Sequence, residues 1–313
     1  MKLHRPLTCL LPFMLAASPG PSWAQEVNWN GLARTVIEEG KDTLPNLVVS
    51  AKSREWQIDA ALDLYEAPDG KTKIRPFFVT ASYKVSGITT RCGLLPPFFN
   101  TRFNDVLAGA LPPNLADNSA TLNGGVVGCD VNAQQQLGAH VNLTFQAYAG
   151  TKHKNLSQDF GAPTSPGFDA LVAGGGVSVS KTFDKGNIDA GYRYTGFGRG
   201  PGGATREQHY FFGSGKYKAG QVEFRILGEI AKSETCNLVE CTDTTTTNII
   251  AQTIGPLHEN LDWRISGGKA DRASVIDAGL VWRITPAMRI QTGVGYNFDE
   301  EKFYPALGAS LTF

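Results

Sequence analysis

The sequence predicts an all-β protein: a closed, antiparallel transmembrane β-barrel of about fourteen strands. Three observations favour this fold. Segments of about ten residues alternate between apolar and polar side chains, as strands do when one face meets lipid and the other an interior. Glycine is abundant, at 35 of 313 residues, and only 19% of the residues are charged. Beyond the N-terminus no segment approaches 18 consecutive apolar residues, so membrane-spanning helices are not expected.

The first 24 residues have the layout of a secretory signal peptide. Two basic residues, Lys2 and Arg5, precede an apolar run that is too short to span a bilayer. The run gives way to small residues, and Ser22-Trp23-Ala24 fits the pattern at a signal-peptidase site. We therefore expect residues 1–24 to be removed and the rest of the chain to be exported.

Residues 25–44 are predicted to form a short amphipathic helix ahead of the barrel wall. Apolar side chains recur there at helical spacing, and polar side chains occupy the opposite face. The apolar positions are Trp29, Leu32, Ala33, Val36 and Ile37. Such a helix would either cap the barrel on its periplasmic side or enter the interior as a plug.

Residues 45–313 are predicted to form the barrel wall. Thirteen strands are clear, from Trp56–Tyr65 to Phe303–Phe313. The short run Leu47–Ala51 makes fourteen, because single-chain bacterial barrels have an even number of strands. Twelve is the alternative, if the weak runs at 47–51 or 245–255 lie outside the wall.

The connections between strands alternate in length, as periplasmic turns and extracellular loops do in such barrels. The short set comprises 68–71, 184–187, 217–220, 256–260 and 285–288, and the longer set 89–119, 150–168, 197–206 and 232–247, with shorter members at 267–272 and 299–302.

The last strand carries the most specific pattern in the sequence. Leu307, Ala309, Leu311 and the terminal Phe313 share one parity with Phe303, and small or polar side chains fill the other. This ending resembles the C-terminal signature of bacterial outer-membrane β-barrels. The resemblance is to the porin-like class and to no particular family. It implies an outer-membrane location, a lipid bilayer as partner, and recognition of Leu311 and Phe313 by the outer-membrane assembly machinery.

Four cysteines follow the export segment, an even number that favours disulfides in an oxidising compartment. Cys236 and Cys241 are predicted to pair, because no histidine pair lies beside them at zinc-ligand spacing. Cys92 and Cys129 are the remaining pair. The predicted register places Cys129 well down its strand, so this second pairing and that register conflict.

Charged side chains on the predicted strands fall on the parity opposite to the apolar residues. An arginine or lysine facing lipid would cost roughly 2–4 kcal/mol near the midplane, and an acid less, so these groups are expected to face the interior. The predicted pore-lining set is Arg193, Glu223, Arg225, Glu229, Asp262, Arg264, Asp277, Arg283 and Arg289.

The long connection at 89–119 contains an apolar segment, Gly93–Ala116, that would be costly to expose to water. Folding into the interior as a constriction would resemble the use that general porins make of a long loop. Packing across the barrel mouth or against a neighbouring subunit is the alternative.

The sequence contains no motif for a phosphate-binding loop, a serine nucleophile elbow or a zinc protease, and no cofactor or metal is expected. A net charge of zero argues against a nucleic-acid partner. Glu207 and His209 share the predicted inward parity near the extracellular rim of one strand, where a carboxylate–imidazole pair could activate water; a hydrogen-bonded wall pair is the favoured alternative.

These patterns favour a porin-like channel for the passive diffusion of small hydrophilic solutes, not an enzyme. A non-conducting barrel that serves structure, adhesion or envelope assembly is the alternative, and an outer-membrane hydrolase is the third hypothesis.

Overall fold

A computed structural model describes residues 28–38, 46–53, 55–66, 72–95, 126–152, 171–197, 205–236, 239–270 and 273–312. Among these residues, no helix has the length and apolar character needed to cross a membrane. The expected signal peptide, residues 1–24, lies outside the described residues.

The described residues form sixteen β-strands. Each strand pairs with its neighbours in sequence in antiparallel orientation, and β1 also pairs with β16, so the hydrogen-bonded order returns to its start. The strands are β1 Asn28–Glu38, β2 Asn46–Ser53, β3 Trp56–Glu66, β4 Thr72–Val85, β5 Ile88–Leu95, β6 Val126–Gln136, β7 Val141–Lys152, β8 Leu171–Phe183, β9 Gly186–Phe197, β10 Thr205–Ala219, β11 Val222–Cys236, β12 Cys241–His258, β13 Leu261–Ala270, β14 Ala273–Arg283, β15 Met288–Asn297 and β16 Lys302–Thr312.

The strand count of fourteen is wrong by two, because two strands were assigned to other structures. The first is β1, which occupies the region predicted as an amphipathic helix. Its backbone pairs with β2 on one side and β16 on the other, from Leu32 opposite Thr312 to Glu38 opposite Ala306. Pairing on both edges determines the structure of this segment and overrides the helical spacing of its apolar residues.

The second missed strand is β5, which the sequence analysis assigned to the connection 89–119. A two-residue turn, Ser86-Gly87, joins it to β4, and both turn residues have positive φ, 47° and 81°. Two consecutive residues with positive φ make the turn type whose twist matches an antiparallel hairpin. Serine in the first position is less indicative of this turn than asparagine or aspartate, so the sequence did not reveal the hairpin.

The corrected count also changes the end at which one connection lies. β1 begins and β16 ends at the same end of the barrel, which we call the terminal end, and the opposite end is the loop end. The 86–87 turn and the connection between β2 and β3 lie at the terminal end. The connection between β3 and β4 therefore lies at the loop end, so 68–71 is at the opposite end of the barrel from the other members of the predicted short set.

The outer face of the wall is apolar, with aromatic side chains toward both ends. Trp56 and Trp282 are exposed near the terminal end, and Phe298 and Phe303 near the loop end. Tyr296 packs between the last two, with ring centroids 5.0 and 4.8 Å apart. An exposed apolar surface of this extent would be costly in water, and the aromatic distribution is typical of a wall that crosses a bilayer.

Two disulfides join neighbouring strands near the loop end. Cys92 of β5 lies directly opposite Cys129 of β6, and Cys236 of β11 lies directly opposite Cys241 of β12. The register conflict is resolved because β5 continues to Leu95. Glu234 lies beside the second disulfide, but both sulfur atoms are already bonded to each other, so this group offers no thiolate to a metal.

The two disulfides should stabilise the fold unequally, because they close loops of different length. The cysteines are separated by 37 residues in the first and by 5 in the second. Chain-entropy arguments give about 4 kcal/mol for the first and about 2 kcal/mol for the second. Replacing each pair by alanines should lower the free energy of unfolding in that order, as measured by urea titration in micelles. Equal losses would contradict the entropic account.

Candidate functional site: the polar inner face

Side-chain burial alternates along the strands and identifies the inner face. On β10, Arg206, Gln208 and Tyr210 are buried, whereas Phe211 is 45% exposed on the outer face. The same alternation continues on β11, where Glu229 is 2% exposed and its neighbour Ile230 faces outward. The buried polar side chains therefore line the interior.

All nine residues predicted to line a pore lie on this inner face. They are Arg193 on β9, Glu223, Arg225 and Glu229 on β11, Asp262 and Arg264 on β13, Asp277 and Arg283 on β14, and Arg289 on β15. Their charges are extensively paired with one another and with further inner-face residues that the sequence analysis did not select.

The most buried ion pair joins β13 to β14. The Arg264 guanidinium lies 2.7 Å from the Asp277 carboxylate, and their side chains are 4% and 2% exposed. Arg264 also donates a hydrogen bond of 3.0 Å to the side-chain oxygen of Gln291 on β15. One arginine thus lies across three strands, which holds its charge against the wall.

A second group lies nearer the terminal end. The Glu223 carboxylate accepts from Arg225 at 2.5 Å and from Lys216 of β10 at 3.1 Å. Arg283 bonds Asp262 at 3.0 Å in a more exposed setting. These pairs are half-exposed, so each contributes less to stability than the buried pair.

Glu229 is held by hydrogen bonds from two neighbouring strands. Tyr210 donates its hydroxyl at 2.7 Å, and the Asn248 amide donates at 3.0 Å. The Arg193 guanidinium lies 5.2 Å from the centre of the Tyr210 ring, within the range of a cation–π contact. The acid, the phenol and the arginine form one connected group on β9–β12.

A comparable group on β5–β7 was not predicted from the sequence. Arg91 bonds Asp130 through two nitrogens, at 3.0 and 2.5 Å, and the Gln146 amide donates to the same carboxylate at 2.8 Å. Asp130 is 1% exposed. Once the Ser86-Gly87 turn is recognised, Arg91 falls on inward parity opposite Asp130 of β6, so that turn was the signal that could have identified the pair.

Glycines in the wall provide space for long inner-face side chains to lie flat. Tyr148 of β7 crosses β8 and bonds Thr195 of β9, and a Cβ atom on Gly174 would lie 2.5 Å from its hydroxyl. A Cβ atom on Gly293 would lie 3.1 Å from the Asp277 carboxylate and 3.2 Å from Arg264. The missing side chain of Gly174 thus allows a contact between the two strands beside β8, and that of Gly293 leaves room for the Arg264–Asp277 pair of β13 and β14.

The fold has been seen in solved structures, although no protein-family model and no curated protein matches the sequence. An anion-selective porin from Comamonas acidovorans superposes with a TM-score of 0.57 at 12% identity, covering 92% of this chain and 99% of that one. OmpF of Salmonella typhi, solved with daunomycin, gives 0.57 at 14% identity, covering 92% and 97%. A loop-deletion mutant of OmpT, an outer membrane protein of Vibrio cholerae, gives 0.56 at 12% identity, covering 92% and 99%.

The chain has the porin-type barrel fold. It shares this architecture with proteins of the bacterial outer membrane, at identities that establish the fold alone.

Glu207 and His209 do not lie inside this porin-type barrel. They share the outer face of β10 with Phe211, and His209 lies 2.8 Å from the hydroxyl of Tyr192, an outward residue of β9. The assumption that they face inward is wrong. Three consecutive aromatic residues, Tyr210 to Phe212, made the parity of this strand ambiguous, and Tyr210 and Phe212 are the ones that point inward.

The flat position of Tyr148 gives a test of the glycine wall. Gly174→Ala should lower the free energy of unfolding by about 1–3 kcal/mol, because the added methyl group overlaps both Tyr148 and the Tyr194 carbonyl. Gly213→Ala is the control, since a Cβ atom there meets nothing within 4 Å. Urea titration in micelles measures both. Equal stability of the two variants would contradict the packing described.

The buried ion pair gives a second test. Asp277→Asn should lower the free energy of unfolding by about 3–5 kcal/mol, because it leaves the Arg264 charge buried without its partner. Asp262→Asn breaks the half-exposed pair with Arg283 and should cost less than about 1 kcal/mol. Losses of similar size in the two variants would show that burial does not distinguish the pairs.

Proposed function

We propose that this chain resides in the bacterial outer membrane and forms a water-filled channel for the passive diffusion of small hydrophilic solutes. The observation that carries the proposal is the polar, ion-paired inner face of a sixteen-strand barrel. Barrels of about eight strands are filled by their own side chains, whereas those of sixteen leave an aqueous channel.

The arrangement of the inner side chains supports an interior that holds water. Arg264 and Tyr148 lie along the wall instead of projecting toward the axis, because Gly293 and Gly174 leave room beneath them. Ion pairs that lie flat satisfy their charges on the wall itself. The space along the barrel axis is then left open for water and solutes.

The balance of charge favours a weak preference for anions. Among the described side chains on the inner face of β5–β15, nine are basic and six are acidic. The basic ones are Arg91, Arg193, Arg206, Lys216, Lys218, Arg225, Arg264, Arg283 and Arg289; the acidic ones are Asp130, Asp189, Glu223, Glu229, Asp262 and Asp277. A modest positive excess lowers the energy of a passing anion relative to a cation.

Burial supports a channel that is narrower toward the loop end. Inner-face Leu95 and Val172 are 0% and 1% exposed there, whereas Lys216 and Arg283 near the terminal end are 45% and 43% exposed. The expected constriction segment, 89–119, begins on β5, and its part after Leu95 lies outside the described residues. The same buried side chains favour the second candidate, a non-conducting barrel whose interior is filled.

Recognition by the outer-membrane assembly machinery remains part of this proposal. Leu311 lies on the outer parity of β16, opposite Met288 of β15 and Ala33 of β1. Phe313 lies outside the described residues.

Planar-bilayer recording of the refolded mature protein tests the channel. We expect stepwise currents, and a reversal potential in a salt gradient that indicates weak anion preference. Arg289→Glu should shift the reversal potential toward cations, because the residue faces the interior. Lys232→Glu makes the same charge change on the outer face of β11 and should leave the potential unchanged. Absence of stepwise currents under all conditions would favour the non-conducting barrel.

A further inference from the structure

Three strands extend beyond the apolar band of the outer face at the loop end. β10 and β11 have 15 residues and β12 has 18, whereas a tilted strand needs about 9–11 to cross a bilayer. On the outer face the last apolar side chains of β10 and β11 are Phe211 and Ile230, which lie directly opposite each other. We call the part of β10–β12 beyond this pair the flap.

One edge of the flap is open among the described residues. β12 pairs with β11 along its whole upper part, from Cys241 opposite Cys236 to Thr247 opposite Ile230. On its other side β12 pairs with β13 only from Asn248 onward, opposite Ala270. The stretch Cys241–Thr247, about 20 Å long, therefore has no described strand beside it on that side.

An open strand edge presents alternate N–H and C=O groups that can pair with another extended chain. Natural edges are usually blocked by charged side chains (lysine above all), by proline or by a bulge. Between Cys241 and Thr247 this edge has no proline, lysine or bulge, its one charged side chain is Asp243, and it is rich in threonine, which favours extended structure. The Cys236–Cys241 disulfide joins β12 to β11 at the tip of the flap. The edge is thus held in the conformation that strand addition requires.

The outer face of the flap carries a row of like charges. Glu207 of β10 lies directly opposite Glu234 of β11, and Glu234 lies directly opposite Asp243 of β12. All three side chains are exposed. Like charges that lie directly opposite each other destabilise a sheet, so this row favours a cation at its next position. That position lies on a strand added to the open edge, opposite Asp243.

We propose that the open edge of β12, Cys241–Thr247, binds an extended basic peptide by strand addition. The backbone of the peptide would continue the sheet, and a lysine or arginine would complete the row Glu207–Glu234–Asp243. The peptide reaches this edge from the loop end, outside the bilayer, so binding is independent of conductance. The partner is defined by its chemistry: extended, basic at alternate positions, and free of proline.

The test uses the full-length mature barrel in detergent micelles and a synthetic seven-residue peptide of alternating threonine and lysine, labelled with fluorescein. We expect saturable binding by fluorescence anisotropy. Two isomers of the peptide, methylated on the backbone nitrogens of either the threonines or the lysines, carry the same charge. Because only alternate N–H groups face the neighbouring strand, one isomer should lose binding and the other retain it. Equal affinities for the two isomers would overturn strand addition.

Protein variants test the acidic row. Asp243→Asn should raise the Kd of the unmethylated peptide by about fivefold, since an opposite-charge pair is lost. Glu301→Gln removes one acid from the loop end outside the row and should leave the Kd unchanged. An unchanged Kd in Asp243→Asn, or no binding of the peptide to the unaltered protein, would overturn the proposal.

Hydrogen exchange locates the peptide on the chain. Amides within Thr242–Thr247 should exchange more slowly when the peptide is bound, while those of the β15–β16 hairpin stay the same. If the same amides exchange slowly without peptide, and more slowly at higher protein concentration, then the edge pairs with a second copy of the chain. That result would overturn the peptide proposal. Every measurement is made without recording current, so a barrel that fails to conduct leaves this test unaffected.

Discussion

Backbone N–H and C=O groups within a bilayer have no water to bond, and each must find a partner inside the protein. In this chain the constraint is met because, across the apolar band, every described strand pairs with a neighbour on both edges, including the pairing of β1 with β16. Because successive side chains on a paired strand point to opposite faces, the closed ladder separates an apolar outer face from a polar inner one. The positions of the charged residues follow from this separation.

The polar inner face in turn depends on residues that have no side chain. A charge inside a barrel is costly unless it is paired and hydrogen-bonded, and long side chains that meet across the wall need room to do so. Gly174 and Gly293 supply that room for Tyr148 and for the Arg264–Asp277 pair. Glycine costs conformational entropy in a strand, and here that cost is offset by contacts that span three strands. The high glycine content of the sequence therefore has a specific structural role in addition to its use in turns.

Much of this arrangement could be predicted from the sequence, since alternation fixes which face a residue occupies once its strand is known. The nine charged residues selected by parity all lie on one face. Two strands were missed for separate physical reasons. β1 has apolar residues at positions that fit a helix as well as a strand, and only its pairing with β2 and β16 decides between them. β5 follows a turn whose conformation, not its composition, creates the hairpin. Missing β5 also concealed Arg91, since a residue outside a recognised strand has no parity, and with it the ionic partner of Asp130 on β6.

The parity of β10 shows a further limit of the sequence pattern. Tyr210, Phe211 and Phe212 are consecutive aromatics, so hydrophobicity alone cannot say which of them meets lipid. The structure places Phe211 outward, because Tyr210 must reach Glu229 on the interior side. A polar partner on a neighbouring strand therefore decides the orientation that hydrophobicity leaves open, and with it the position of Glu207 and His209. The same shift in parity puts Glu207 in line with Glu234 and Asp243 beyond the apolar band. Because the parity of β10 was misassigned, this row of three acidic side chains was not recognised. The row spans three strands and depends on the register between them, so no single segment reveals it.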